Sequence, residues 1–186
     1  MDFLTKQHQI FLLKLARQRI ADYFGLTNSA KLEDPEENIF KKKRGVFVTL
    51  HLDGHLRGCL GYLRGVNNLL ADVGELSLAA AFEDSRFRPL SPEEYPQIDI
   101  ELSVLTPFQL VSDPQEIIIG KDGLIITQDH NSGLLLPQVA SENNWDVKTF
   151  LEQTCYKAGL NLDAWQKPQI KIEKFQAQVF GEKDLD

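Results

Sequence analysis

The chain has 186 residues, 42% of them apolar and 25% charged, so it can bury a core without a metal or disulfide staple. At roughly 150 residues per domain this means one domain or two small lobes. Its 20 basic and 27 acidic residues leave a net charge of −7, which argues against the phosphate backbone of nucleic acid as a global partner.

The first predicted element is an amphipathic helix. Thr5 stands where an N-cap belongs, Leu12, Leu15, Ala16, Arg19, Ile20 and Tyr23 follow at mostly helical spacing, and Gly25 fits a C-terminal cap. Apolar periodicity is then lost. The acids Glu33, Asp34, Glu36 and Glu37 precede the bases Lys41, Lys42, Lys43 and Arg44, which reads as a surface connection, with a local basic patch as the alternative. Val46, Val48, Leu50 and Leu52 alternate with Phe47, Thr49 and His51, and Asp53-Gly54 follows. Such a pair between strand-like runs predicts a type I′ hairpin. A two-residue loop with regular pairing sets Leu52 against His55, Leu50 against Arg57 and Val48 against Cys59. Arg57 and Cys59 are thereby expected on the aliphatic face, an odd place for a guanidinium, with His51 on the opposite face.

A helix is predicted from Asn68 to Glu83, and Pro89 then keeps Arg88 extended. Ser91-Pro92-Glu93-Glu94 has the order of a capping box, so a short helical turn is expected before a strand on Ile98, Ile100, Leu102 and Val104. Residues 116–136 read as short strands with turns at Lys121-Asp122-Gly123 and His130-Asn131-Ser132-Gly133. A second amphipathic helix spans Asp146 to Ala158, closed by Gly159. In the last strand the apolar phase slips between Ile172 and Phe175, which predicts a bulge near Glu173-Lys174. Hairpins with separated helices make the fold class α+β, mainly antiparallel sheet with packed helices.

The cysteines, Cys59 and Cys155, and the four histidines form no metal-ligand spacing. Gly58, Gly61 and Gly65 do not form a dinucleotide fingerprint, so neither metal nor cofactor is expected. No apolar run approaches the ~18 residues of a membrane span, and the first residues turn polar too soon for a signal peptide. Free thiols then fit a cytoplasmic protein.

Leu56-Arg57-Gly58-Cys59-Leu60-Gly61 concentrates the unusual choices. Glycine within a strand marks a bulge or a close backbone approach. With Gly58 and Gly61 leaving room beside its sulfur and Arg57 favouring the thiolate, Cys59 reads as a candidate catalytic thiol. Packing as a small hydrophobe is the alternative. Asp84, Arg86 and Glu101 are candidates for a charged cluster around Arg57, either as an anion-binding cleft or as a structural network. Cys155, among Phe150 and Leu151, is expected in the core.

Several stretches together resemble one family. Leu56-Arg57-Gly58-Cys59-Leu60-Gly61 is similar to the Leu-Arg-Gly-Cys-Ile-Gly signature of the AMMECR family, with Leu60 for the usual Ile. The resemblance continues through Ala79-Ala80-Ala81-Phe82-Glu83-Asp84-Ser85-Arg86-Phe87, Ile100 to Pro107 and Gly133 to Ala140. It ends in Trp145, Phe150-Leu151 and Lys157-Ala158-Gly159-Leu160. It implies a single AMMECR domain over residues 1–186, with a larger lobe from both chain ends and a smaller lobe between. It also implies, through the bacterial AmmeMemoRadiSam branch, the company of a Memo-like protein and a radical S-adenosylmethionine (radical SAM) enzyme. Three functions are carried forward. The first is an adaptor or system component acting through a cleft around the signature, with Arg57, Gly58, Gly61, Asp84, Arg86 and Glu101 as binding residues. The second is an enzyme using Cys59 in a redox or modification reaction, and the third a role beside nucleic acid resting on Lys41 to Arg44.

Overall fold

The computed structural model describes residues 3–26, 32, 35 and 37–184. Met1, Asp2 and, from the acidic run, Glu33, Asp34 and Glu36 lie outside them. By its contacts the chain divides into two compact units, residues 1–106 with 178–186, and residues 107–177.

The first unit opens with α1 (Lys6–Tyr23), capped by Thr5, whose side chain accepts the His8 N–H while the His8 ring accepts the Thr5 N–H. Gly25, at φ +67°, takes the left-handed position just past the helix end, as expected. The predicted surface connection holds a single turn, α2 (Asn38–Lys41), whose Phe40 is fully buried beside Phe11 and the His8 ring. One aromatic side chain thus turns a stretch without periodicity into core.

β1 (Val46–Leu52) and β2 (His55–Tyr62) are joined by Asp53 and Gly54, both at positive φ, the type I′ geometry that the Asp-Gly pair predicts. α3 (Leu69–Phe82) follows, with Asn68 as the N-cap, and then β3 (Ile98–Leu105). β1, β2 and β3 join a strand from the far end of the chain, so that the sheet runs β2, β1, β3 and that last strand. Val46, Val48 and Leu50 of β1, with Ile100, Leu102 and Val104 of β3, pack against Leu12, Ala16 and Ile20 of α1 and Val73, Leu76 and Ala80 of α3. Each Val, Leu or Ile side chain among them taken out of water stabilises the fold by about 1.5–3 kcal/mol. The helices cover one face of the sheet. Phe47, Thr49 and His51 point to the other and are half-buried.

The second unit begins with β4 (Gln109–Leu110) and continues through the hairpin of β5 (Gly123–Gln128) and β6 (Asn131–Leu135). α4 (Pro137–Glu142), α5 (Val147–Lys157) and β7 (Lys171–Phe175) follow, and the sheet order is β4-β7-β5-β6. The hairpin turn is Asp129-His130, with Asp129 at φ +53°, so Asn131, Ser132 and Gly133 lie in the strand rather than in the expected turn. Leu124, Ile126, Phe150, Leu151, Cys155 and Ile172 form the core of this unit.

The predicted bulge near Glu173-Lys174 is absent. Both residues pair regularly with β5, as Ile125↔Glu173 and Leu124↔Lys174. Ile172 and Phe175 lie on opposite faces of this one strand and both are buried, Phe175 beside Phe108. A short strand with buried apolar residues on both faces shows no single apolar phase. At Gln176 the chain leaves the second sheet and enters β8 (Ala177–Gly181), the fourth strand of the first.

Candidate functional site

The hairpin starts in the expected register, Leu52↔His55 and His51↔Leu56, and then shifts. Leu50 faces Gly58, Thr49 faces Cys59 and Val48 faces Leu60, with Arg57 as the extra residue of a β-bulge. Because side chains alternate, the extra residue reverses every facing assignment beyond it. Cys59 therefore leaves the aliphatic face and shares the outer face with Thr49, while Glu101 lies opposite Thr49 on the next strand. Cys59, Thr49 and Glu101 form one row. His51 falls on this same face and His55 does not, the reverse of the expectation.

Arg57 is only 8% exposed, and its partner is neither Asp84 nor Glu101. Its Nε and Nη2 donate to the two carboxylate oxygens of Glu94 at 3.2 and 3.0 Å, and Nη2 also donates to the Pro89 carbonyl. Glu94 accepts the Ser91 N–H at 3.0 Å as well, so the predicted capping-box carboxylate doubles as the counter-ion. The Arg57 hydrogen bond is the main cause that holds the Glu94 carboxyl down at about 2. Arg57 is thus committed to Glu94 instead of polarising the thiol.

Asp84 and Arg86 come together as expected, but on the backbone of Cys59. The Cys59 N–H donates to Asp84 Oδ2 at 2.9 Å, Arg86 Nη2 donates to the Cys59 carbonyl at 3.1 Å, and the two side chains pair at 2.7 Å. The Arg86 guanidinium, ahead of the Cys59 N–H, keeps the Asp84 carboxyl well below the usual carboxylate range. β2 is an edge strand, and an edge offers unpaired N–H and C=O groups to any passing strand. The Asp84–Arg86 pair occupies those groups at Cys59 as a neighbouring strand would.

Cys59 thus belongs to a non-hydrogen-bonded pair with Thr49, the kind that brings opposed side chains closest. The Thr49 hydroxyl donates to Cys59 Sγ at 3.4 Å. The neighbouring row holds Leu56, His51 and Asp99, and Asp99 is paired with Lys183 Nζ at 3.3 Å. The glycines open no room beside the sulfur. A Cβ on Gly58 would stand 2.1 Å from the Ala80 carbonyl oxygen, so Gly58 lets α3 lie directly against the strand. A Cβ on Gly61 would stand 2.3 Å from the Phe47 ring, which fills that space.

Cys155 is fully buried, and burial pushes its thiol up. The basic run is not one continuous patch, since Arg44 is 3% exposed with its Nε donating to the Leu105 carbonyl. Among the described residues no group of three or more His, Cys, Asp or Glu comes together to hold a metal ion, and no helix is long and apolar enough to cross a membrane. Sequence reasoning missed Glu94 and Thr49. The capping box was a usable sign for Glu94; a one-residue shift in register hid Thr49.

The AMMECR1 family model matches residues 13–180, across both units. A protein of Methanothermobacter thermautotrophicus is 44% identical over 185 residues, covering 96% of each chain. One of Thermococcus kodakarensis is 41% identical over 184 residues, covering 92% of this chain and 89% of that one. The crystal structure of an uncharacterized protein from Pyrococcus horikoshii superposes with a TM-score of 0.71 at 38% identity. It covers 94% of this chain and 91% of its own.

Proposed function

The chain belongs to the AMMECR1 family, and from that premise we propose that it is a protein-binding component of a multi-protein system. Its contact surface is the outer face of the first sheet around Cys59, and its partners are a Memo-like protein and a radical SAM enzyme in the cytoplasm. One observation carries this reading. The ionic side chains nearest the signature are engaged in fixing backbone, Arg57 with Glu94 near the bulge, Asp84 and Arg86 at the edge. What they hold rigid is a strand that presents Cys59 and Thr49, beside Phe47 and Glu101, on a half-buried face. A rigid patch loses little conformational freedom on binding, which favours recognition.

The test is size-exclusion chromatography of purified mixtures with a Memo-like protein and a radical SAM enzyme, comparing wild type with Thr49→Arg. A complex with wild type that is lost in a folded Thr49→Arg variant supports the reading. No complex with either protein, or a complex indifferent to Thr49→Arg, contradicts it.

A second reading, thiol chemistry at Cys59, is favoured by the shift that brings His51 to the same face. The two residues are diagonal neighbours, about 7–8 Å apart, a gap that one water spans. Trapping of an electrophile at Cys59 in wild type, with the rate lowered in His51→Ala, is the result this reading requires.

A further inference from the structure

We infer that the edge of β2 beside α3 is a peptide seat that takes an extended apolar and basic segment of a partner protein by strand addition. This rests on the protein-binding reading above and names a second contact, distinct from the outer face that carries Cys59. Cys59 and Gly61 share one phase along β2, and in an antiparallel ladder residues of that phase turn both backbone groups away from the partner strand. At Cys59 these groups are already taken by Asp84 and Arg86. Among the described residues nothing occupies the corresponding groups of Gly61. The Asp84–Arg86 pair therefore stops an added strand at Cys59 and leaves Gly61 as its docking point.

A groove of about 620 Å³ runs beside this edge, between β2 and α3. Leu60, Gly61, Leu76 and Ala79 line it, and Glu75 and Glu83 flank it. Both acids are exposed, and Glu75 is held in place by the Tyr62 hydroxyl, which donates to its Oε1 at 2.7 Å. Arg19 is the one basic residue of the lining. Strand addition draws affinity from backbone hydrogen bonds and specificity from alternate side chains that enter a groove. Leu76, Ala79, Glu75 and Glu83 all stand on the α3 side of the added strand. The side chains it turns that way meet aliphatic carbon between two carboxylates, and Lys or Arg next to apolar residues is the complementary chemistry. An acidic segment is repelled.

The test selects phage-displayed random decapeptides on the full-length protein, with Glu75→Lys/Glu83→Lys as the counter-target. Both substitutions fall on exposed positions, and circular dichroism checks that the variant folds. Enriched sequences should combine Lys or Arg with apolar residues and lose at least tenfold in affinity for the double variant. The best of them should slow hydrogen exchange at the Gly61 amide. No enrichment over the counter-target, acidic consensus sequences, or unchanged exchange at Gly61 overturns the proposal. So does Gly61 protection from self-association, which assigns the edge to a second copy of the chain. Complexes with Memo-like or radical SAM protein that survive Glu75→Lys/Glu83→Lys but not Thr49→Arg leave the protein-binding reading standing and remove only this seat.

Discussion

The surroundings of Cys59 and Cys155 are built by different means. Around Cys155 the second unit uses apolar packing: Phe150, Leu151, Leu124 and Ile126 close over a small side chain, and burial makes the thiol harder to ionise. Around Cys59 the first unit uses charge. Arg57 with Glu94 and Asp84 with Arg86 hold a bulged edge strand in place and leave the sulfur on the outer face beside a hydroxyl. Apolar packing gives a position that tolerates no access. Ionic clamping of backbone gives a position that is fixed and still presented, which is what a recognition surface requires.

The largest effect should separate the two devices directly. Arg57→Ala leaves the buried Glu94 carboxylate with only the exposed Arg88 as counter-ion, and breaking a buried pair costs up to about 3–5 kcal/mol. Phe150→Ala in the second unit should cost a similar amount, about 3–5 kcal/mol, through the cavity it leaves. The two are told apart by pH. Glu94 is lowered from 4.5 to about 2 in the folded chain, so its stabilisation is complete above 4.5 and is lost as pH falls toward 2. Urea unfolding midpoints should show the cost of Arg57→Ala shrinking over that interval while the cost of Phe150→Ala holds steady. Parallel behaviour of the two variants would break the distinction.

Asp84→Ala comes next in size. It removes the acceptor of the Cys59 N–H and the partner of Arg86, a loss of about 1–3 kcal/mol. Hydrogen exchange at the Cys59 amide should accelerate more than the global destabilisation explains, because the edge is uncovered there. Equal acceleration across the whole of β2 would show that the clamp is not local. Thr49→Val is the smallest, with about 1 kcal/mol or less for a weak hydroxyl–sulfur contact. Its sharper readout is the alkylation rate of Cys59, which should change while that of Cys155 does not.

Much of this architecture was legible in the residues. The capped helices, the positive-φ turn at Asp53-Gly54 and the alternation of Ile98 to Val104 are local patterns, and each stands where its pattern places it. Failures occurred where a long-range contact decides. The bulge at Arg57 goes with a counter-ion 37 residues away, and no periodicity announces it, yet it moves Cys59 to the face of His51 and away from that of His55. Phe40 is core only because α1 presents Phe11 and His8 to it. The phase slip before Phe175 was visible, but it reflects burial on both faces of β7 rather than a bulge. Asp84, Arg86 and Glu101 were singled out for a cluster around Arg57; that Asp84 and Arg86 instead pair with each other and grip the Cys59 backbone follows only from the fold.

The contrast between a presented and a sealed cysteine is tested most directly by alkylation of the native protein. Iodoacetamide at neutral pH, followed in time by peptide mass spectrometry and referred to the denatured chain, reports both sites in one sample. Cys59 should be modified much faster than Cys155, and a bound partner on the outer face should slow Cys59 alone. Protection of Cys59 equal to that of Cys155 in the free protein would mean that its face is closed, and would contradict the account.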